Sequence, residues 1–575
     1  MIARTAILVK SEYPRRCIRI SPGINRQSHT RESEKCYKSA AVASDCAQCS
    51  TVGKHILLED GNAVDAAIAS LLCLGLTDPQ SMGLGGGFLM TLFNASTGKS
   101  TVIDARETAP AKVADDLFGK NQKMSSRGPL DIGVPGEIKG YWYAHQKYGR
   151  LPWAKLFEPA IKMARYGFPV PFGLHRAIED GEELLCTEPS LKEIFFNKET
   201  EKLFRQNEIM HRPQLGETLE IIASEGMENF ATGTLMKNMM ADLEDIGAIV
   251  SKQDLLDYQV LEKKPIETTL DGSLRVLCPP PPSCGVVLSF ILNILDGFLL
   301  NPNDLASPEA RIHMYHRTIE AFKFAYAKRS SLGDEDFVDV KELVANLTSK
   351  TYADRMRQLI TDNTTHEFPY YSPSFYSPQT SGTSHLSVLD QDGNAVSATS
   401  SINWRFGCGL RGRRTGIIWN DHLNDFTAPY TVNKFGLQPN GANFIQPGKR
   451  PLSDMSPAIV VGPGNNGSPQ VRLVIGAAGA TVITCALAWV IAQNISLGKN
   501  IKEAIDSYRF YHQLLPPSVT CEEGFDEAVI RGLKLKGHVT SILKRTLSVI
   551  QAIDVRDGWI FAESDFRKGG SPDGF

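Results

Sequence analysis

A threonine with a glycine before it and a strand after it is a candidate oxygen nucleophile. Thr383 stands in that setting, within Ser381-Gly382-Thr383-Ser384-His385. The preceding stretch, 370–382, is rich in Tyr, Ser and Pro and reads as a loop. Ser384 to Leu389 then alternates, Asp392-Gly393 signals a hairpin turn, and Ala395 to Ile402 alternates again. If the Gly382–Thr383 bond were cut, the Thr383 hydroxyl would have its own α-amine beside it as a base. That is one recognised way to activate a weak oxygen nucleophile. Gly-Thr-Ser is also ordinary loop sequence, and most threonines at strand starts do no chemistry. The second strand adds weight: Ser397, Thr399 and Ser401 alternate and so share a face, with Asn403 beyond Ile402 on the same side. A polar face on an otherwise apolar hairpin is either solvent-exposed or lines a site.

Acyl chemistry at a hydroxyl also needs donors for an oxyanion. Val471–Ile475 reads as a strand and 481–493 as a helix, joined by Gly476-Ala477-Ala478-Gly479-Ala480. Backbone N–H groups at such a helix N-terminus point at developing negative charge. Without Thr383 the same residues would read as a plain strand-to-helix turn.

Taken together, Thr383 to Asn403 resembles the signature of the γ-glutamyltranspeptidases, which begins Thr-x-His and ends Thr-x-Thr-x-Asn. Here Thr383, His385, Thr399 and Asn403 match, and Ser401 stands where the family has its second Thr. Six further blocks resemble the family in order. They are Gly61-Asn62-Ala63-Val64-Asp65-Ala66-Ala67, Gly83-Leu84-Gly85-Gly86-Gly87, Asp104-Ala105-Arg106-Glu107, Val134-Pro135-Gly136-Glu137, Ala442-Asn443-Phe444 with Pro447-Gly448-Lys449, and Arg567-Lys568-Gly569-Gly570. The resemblance spans roughly 38–575.

It implies an α+β fold, a four-layer αββα sandwich of the N-terminal-nucleophile hydrolase type. It implies self-cleavage between Gly382 and Thr383 into a large-subunit region 38–382 and a small-subunit region 383–575 that share one core, after a poorly structured segment 1–37. The implied activity moves a γ-glutamyl group from glutathione or a related amide to water, amino acids or peptides, through an acyl-enzyme on Thr383. Ser401 and Asn403 would orient Thr383, and Gly479 and Ala480 would form the oxyanion hole, with Ala480 where the family has Gly. Arg106 and Ser453 would hold the donor α-carboxylate. Asp425 would meet the α-ammonium. The family's second serine is Asp454 here, and the second acid of mammalian relatives is His422. Two unit charges at 4 Å in a partly exposed site interact by about 4 kcal/mol, so an Asp454 facing the carboxylate would weaken binding. Alternatively Asp454 turns toward the ammonium. An imidazole at 422 carries no permanent negative charge. These departures leave a second reading open, a catalytically weak secreted homologue that acts by binding.

The remaining composition is quiet. The 575 residues carry a net charge of −3, which offers nothing to nucleic acid or to an anionic membrane surface. The cluster Arg411-Gly412-Arg413-Arg414 reads as a solvated loop. Eleven cysteines form neither a dense disulfide framework nor a zinc pattern, although Cys46 and Cys49 make a lone C-x-x-C. By resemblance, Cys49 and Cys73 form a disulfide. No metal or organic cofactor is suggested, and His313 and His316, at helical i, i+3 spacing, read as two helix-surface histidines. Sequons occur at Asn94, Asn346, Asn363, Asn466 and Asn494. Residues 1–37 show no clear signal or anchor, so an extracellular or cell-surface location follows from kinship only.

The elements that must position the chemistry follow from pattern. Asn62 caps an Ala-rich helix 63–75 with Asp65 at the capping-box position. Glycines 83–87 lack a phosphate-loop lysine and read as structural. Helical periodicity marks 155–166, 216–225, 233–246, 285–296 and 308–330, and strands mark 384–389, 395–402, 415–419, 457–461, 471–475 and part of 549–562. Helices first and strands later would suggest separate domains on pattern alone. The resemblance predicts instead one layered core.

Overall fold

The alternating runs on either side of Asp392-Gly393 do pair, and they form the centre of a larger sheet. The computed structural model describes residues 33–113, 127–375, 382–427, 437–464, 467–544 and 547–575. Glu34–Phe575 is one unit; the other, Met1–Ser33, lies almost wholly outside the described residues. Fourteen of the described strands build two sheets. In chain order they are β1 Lys35–Tyr37, β2 Ala41–Ser44, β3 Gly87–Asn94, β4 Lys99–Ala105, β5 Leu261–Lys263, β6 Ile266–Leu270, β7 Leu274–Cys278, β8 Ser384–Leu389, β9 Ala395–Ser401, β10 Ala458–Pro463, β11 Pro469–Ala478, β12 Val549–Arg556, β13 Trp559–Ser564 and β14 Asp573–Gly574. One sheet runs β14-β2-β8-β9-β3-β4-β5 and the other β1-β13-β12-β11-β10-β7-β6. Both sheets contain strands from before and after Thr383, so neither part of the chain completes a sheet alone.

Ala41, Ala43, Phe93, Leu389, Val461, Val474 and Ile553 fill the space between the sheets. Helices cover the two outer faces. On one side pack α1 Ala47–Leu58, α2 Ala63–Thr77 and α3 Glu137–Tyr148. On the other pack α4 Gly285–Asp296, α5 Pro308–Arg329 and α6 Val482–Ile495. The result is the four-layer αββα sandwich. Asn62 caps α2 through Val64 N and Asp65 N, and Asp65 completes the capping box. Helix α4 is mostly apolar and buried from Gly285 to Leu295, with Asn293 accepting from Thr268 Oγ1. No helix among the described residues is long and apolar enough to cross a membrane. Cys49 and Cys73 are joined, tying α1 to α2.

Several expectations change. The polar face of the β8–β9 hairpin meets no solvent; its Ser401 end reaches Thr383, and the rest packs on the opposite sheet. Ser397 Oγ donates to Ile475 O at 2.9 Å, and Ser387 Oγ to Gln551 O at 3.1 Å. With its proton committed, Ser387 Oγ accepts from His385 Nε2 at 3.1 Å, and His385 Nδ1 accepts from Thr399 Oγ1 at 2.8 Å. Burial pushes the His385 imidazole down to about 3. The hydroxyls therefore pay the hydrogen-bond debt of a buried histidine and of two carbonyls. Residues 415–419 form no strand and contribute only bridges, Arg411 to Ile418 and Gly85 to Trp419. Arg411 is buried, donating to Ser190 O at 2.8 Å. Lys35–Tyr37, placed with the loose N-terminal segment, pairs as β1 with β13. Asn494 is buried and donates to Asp554 Oδ2, so this sequon is closed in the fold; Asn466 lies outside the described residues.

Candidate active site

Strand register gathers the candidate residues at one end of the first sheet. Ser384 pairs with Ser400, Ser401 with Gly87, and Phe88 with Ala105. Thr383 precedes β8, Ser401 ends β9 and Arg106 follows β4, so all three emerge at that end. Thr383 and Arg106 are three strand spacings apart, roughly 14 Å between backbones. The glycine run is what permits this closeness, because a Cβ at Gly86 would lie 2.1 Å from Ser401 O. Opposite, Gly476 of β11 lies on His385, where a Cβ would come within 2.1 Å of the imidazole. The turn at Gly479–Ala480 follows three residues later.

Thr383 is buried, and its Oγ1 donates to Ser401 Oγ at 3.3 Å. The backbone N–H of Asn403 donates to the same Ser401 oxygen at 2.8 Å. Ser401 Oγ thus links the Thr383 hydroxyl to the Asn403 backbone. Asn403 does not reach Thr383 with its side chain, which donates to Asp421 O at 3.3 Å. Its backbone matters instead: a Cβ at Gly382 would lie 1.8 Å from Asn403 O. Thr383 has φ +102°, Asn403 +71° and Ala480 +57°. Left-handed backbone in a β-branched residue costs of order 1–3 kcal/mol and persists only where the surroundings impose it.

Ala480 occupies the angles a glycine would adopt freely, and α6 begins two residues later. Among the described residues neither the Gly479 nor the Ala480 N–H has an intramolecular acceptor. Ala480→Gly is expected to raise stability by up to about 1 kcal/mol, read from a denaturant midpoint, by removing the Cβ clash of the left-handed conformation. The N–H direction is unchanged by this substitution, so any turnover should not fall.

Arg106 is buried and held on three sides. It donates from Nη2 to Asp425 Oδ2 at 2.5 Å, from Nη1 to Glu107 Oε2 at 3.3 Å and from Nε to Pro451 O at 3.4 Å. It thereby ties the end of β4 to the His422–Asp425 turn and to the segment carrying Ser453. Burial raises the Asp425 carboxyl, against the pull of Arg106 and His422. His422 Nδ1 lies 2.9 Å from Glu107 Oε1. Ser453 Oγ accepts from Met455 N at 3.2 Å. Asp454 neither opposes the carboxylate position nor reaches for an ammonium. Arg329 at the end of α5 takes both its oxygens, Nε to Oδ1 at 2.7 Å and Nη2 to Oδ2 at 2.6 Å.

Lys568, Asp45, Asp78 and Glu137 lie beneath the site and were not singled out as site residues by the sequence. Lys568 Nζ donates to Thr383 O at 3.2 Å, Asp45 Oδ2 at 2.7 Å and Asp78 Oδ2 at 2.5 Å. Asp45 Oδ2 also accepts from Ser384 Oγ at 2.6 Å. Lys568 lies in a block visible in the sequence, but its carboxylate partners are 490 and 523 residues away in the chain. Glu137 accepts from Ser400 Oγ at 2.8 and 3.0 Å and from the Tyr141 hydroxyl. Burial pushes the Glu137 carboxyl up to about 8, with Glu107 adding to the rise and both hydrogen bonds opposing it. A carboxyl raised in the fold contributes stability fully present below its unfolded value and lost as pH rises through the folded one. Between roughly pH 4.5 and 8 that loss is about 1.4 kcal/mol per unit. Glu137→Gln should remove it. Variant and parent should match near pH 5, and the variant should be more stable by a few kcal/mol near pH 8, measured by denaturant unfolding.

His316 is not a surface residue. It is buried on α5, where Nε2 donates to Thr361 O at 2.7 Å and Nδ1 accepts from His538 Nε2 at 2.8 Å. Glu320 completes a His-His-Glu group. Its carboxylate is already taken by Tyr371, Thr365 and Lys323, so hydrogen bonds knit the group together.

The sequence model of the family described as Gamma-glutamyltranspeptidase matches residues 49–575. The chain belongs to the gamma-glutamyltranspeptidase family. It is 41 % identical over 539 residues to Scoloptoxin SSD14 of Scolopendra dehaani, covering 94 % of this chain and 92 % of that one. It is 38 % identical over 554 residues to Glutathione hydrolase 5 proenzyme of Mus musculus, with 94 % and 93 % covered. Cephalosporin acylase from Bacillus halodurans shares the fold, with a TM-score of 0.82 at 24 % identity over 96 % of this chain and 99 % of that one. In this member of the family, Thr383, Ser401 and Arg106 lie at one end of the first sheet, and the Gly479–Ala480 turn follows β11 of the other.

Proposed function

We propose that this protein cuts itself between Gly382 and Thr383 and then acts as a γ-glutamyltransferase and glutathione hydrolase. The observation that carries the reading is Thr383 itself. It is buried, in a left-handed backbone, with its hydroxyl donating to Ser401 so that the oxygen lone pairs stay free. In the first step Thr383 Oγ1 attacks the Gly382 carbonyl carbon. The C–N bond breaks, the hydroxyl proton passes to the departing nitrogen, the amide becomes an ester, and that nitrogen becomes the Thr383 α-amine. Water then hydrolyses the ester. Strain at Gly382 and Thr383 is released as the bond opens, which favours this direction.

In the cut protein the α-amine accepts the hydroxyl proton as Oγ1 attacks the γ-carbonyl of a donor. The N–H groups of Gly479 and Ala480 face the oxyanion, and one such donor is typically worth roughly 3–4 kcal/mol of barrier. The amine of the donor leaves with a proton, and water or an acceptor amine releases the acyl group. Arg106 and Ser453 take the donor α-carboxylate, and Asp425 takes the α-ammonium through the oxygen not used by Arg106. The test is a denaturing gel with N-terminal sequencing, beside release of chromophore from a γ-glutamyl anilide. Two polypeptides, the smaller starting at Thr383, with measurable release, are expected. One intact chain without release overturns the proposal.

A further inference from the structure

The net charge of −3 hides a local imbalance. Residues 528–553 contain Arg531, Lys534, Lys536, Lys544 and Arg545 and no Asp or Glu. The same stretch carries three of the fourteen large apolar side chains exposed among the described residues: Leu535 at 89 %, Val539 at 64 % and Ile542 at 50 %. Regular structure holds them out. The helix Glu527–Leu535 ends in a Schellman turn, with Gly537 N donating to Lys534 O at 3.0 Å and His538 N to Leu533 O at 3.1 Å. Gly537 supplies the left-handed residue, at φ +89°. Leu533 and His538, the pair whose contact closes such a turn, are buried, so Leu535 and Val539 beside them are left outside. The strand Thr540–Leu543 follows at the edge of a three-stranded sheet and contacts the helix. Lys534 and Lys544 are exposed, whereas Arg531 faces Glu527 and Lys536 donates to Asp362 O. One exposed acid, Glu523, adjoins the strand through its N–H bond to Leu543 O.

We propose that this turn docks on an anionic lipid bilayer, with Leu535, Val539 and Ile542 entering the headgroup layer and Lys534 and Lys544 meeting the lipid anions. A few apolar side chains flanked by lysines suit such a surface. The lysine stems lie along the apolar boundary while their ammonium groups stay at headgroup level. A protein partner fits less well, because a stable interface takes about 20–30 residues a side and these apolar side chains fall within 535–542. Strand addition is disfavoured too: Thr540–Leu543 is 4 residues long and is followed by Lys544, which blunts an edge. A polyanionic sugar would meet the lysines but leave three apolar side chains in water. Net charge does not oppose the docking, since attraction to anionic lipid is set within about 10 Å of the surface at ordinary salt. None of these residues belongs to the site described above, and the inference is independent of the acyl-transfer reading.

Co-sedimentation of the full chain with vesicles tests this, using phosphatidylcholine alone and phosphatidylcholine mixed with phosphatidylserine. The mixed vesicles should bind at least about tenfold more tightly than the neutral ones. Lys534→Gln and Lys544→Gln should each weaken that binding about fivefold, and together more than either alone. Leu535→Gln should weaken it by a similar factor, and the part of the binding that survives about 1 M salt should depend on Leu535. All three positions are exposed, so the fold is not at stake. Leu535→Trp gives a direct reading: its emission, taken as the difference from the parent, should shift to the blue with mixed vesicles. The inference is overturned if the parent binds neither vesicle or both equally, if Leu535→Gln binds like the parent, or if the new tryptophan keeps its emission in water. Binding of heparin by parent and Leu535→Gln alike, without vesicle binding, would overturn it in favour of a sugar. Self-association lost in Leu535→Gln, again without vesicle binding, would overturn it in favour of a second copy.

Discussion

Thr383→Ala is expected to run as one uncut chain on a denaturing gel and to release no chromophore from a γ-glutamyl anilide. The side-chain oxygen is consumed twice in the proposed sequence, first against the Gly382 carbonyl and then against the donor, and alanine supplies none. Loss should be complete within detection, because the first step also creates the amine that serves as base in the second. The fold should survive. Among the described residues Thr383 makes a single side-chain hydrogen bond, of 3.3 Å, and β8 pairs with both β2 and β9 beyond it. Thr383→Ser, which keeps the hydroxyl, should still cut and turn over, more slowly because serine lacks the branched Cβ that narrows the rotamer choice. A Thr383→Ala protein that still appears as two polypeptides would move the scissile bond elsewhere.

Asp454→Ser, the substitution that restores the family's second serine, is expected to destabilise the protein by about 3–5 kcal/mol rather than repair a pocket. Asp454 binds Arg329 through both oxygens, and both side chains are buried. Removing the carboxylate leaves a guanidinium in the interior with its fork empty. Arg329→Met should cost a similar amount by leaving the carboxylate alone. The double change should recover most of the loss, since the penalty belongs to the unpaired charge. Denaturant unfolding of the three variants reads this directly. Equal stability of Asp454→Ser and parent would show that the fork contributes nothing. The same pairing disposes of the repulsion that a bare Asp454 would exert on a donor carboxylate, because its charge is cancelled before any donor arrives.

These two cases divide what a linear reading can reach. The hairpin around Asp392-Gly393, the α2 cap at Asn62, the apolar helix 285–296 and the strand-to-helix turn at 479–480 were legible because each is governed by neighbours within a few residues: period, turn chemistry, capping. The block order that placed the chain in its family was legible for the same reason. Charge pairing was not. Arg329 and Asp454 are 125 residues apart, Lys568 and Asp45 are 523 apart, and no local pattern announces either pair. His316 looked like a surface residue because helix periodicity does not say which face the opposite part of the chain will cover. Ser397 and Thr399 read as either solvent-exposed or lining a site, because alternation assigns a face but not what lies beyond it.

By itself, then, the sequence singled out Thr383 as the candidate nucleophile and the turn at 479–480 as the candidate source of backbone donors, since both readings depend on local geometry that short-range sterics impose. Only the tertiary structure decided where the charges around Arg106 are spent. A buried ion pair forms between whichever groups the packed sheets bring within reach, and that distance is set by strand register and layer contact across hundreds of residues.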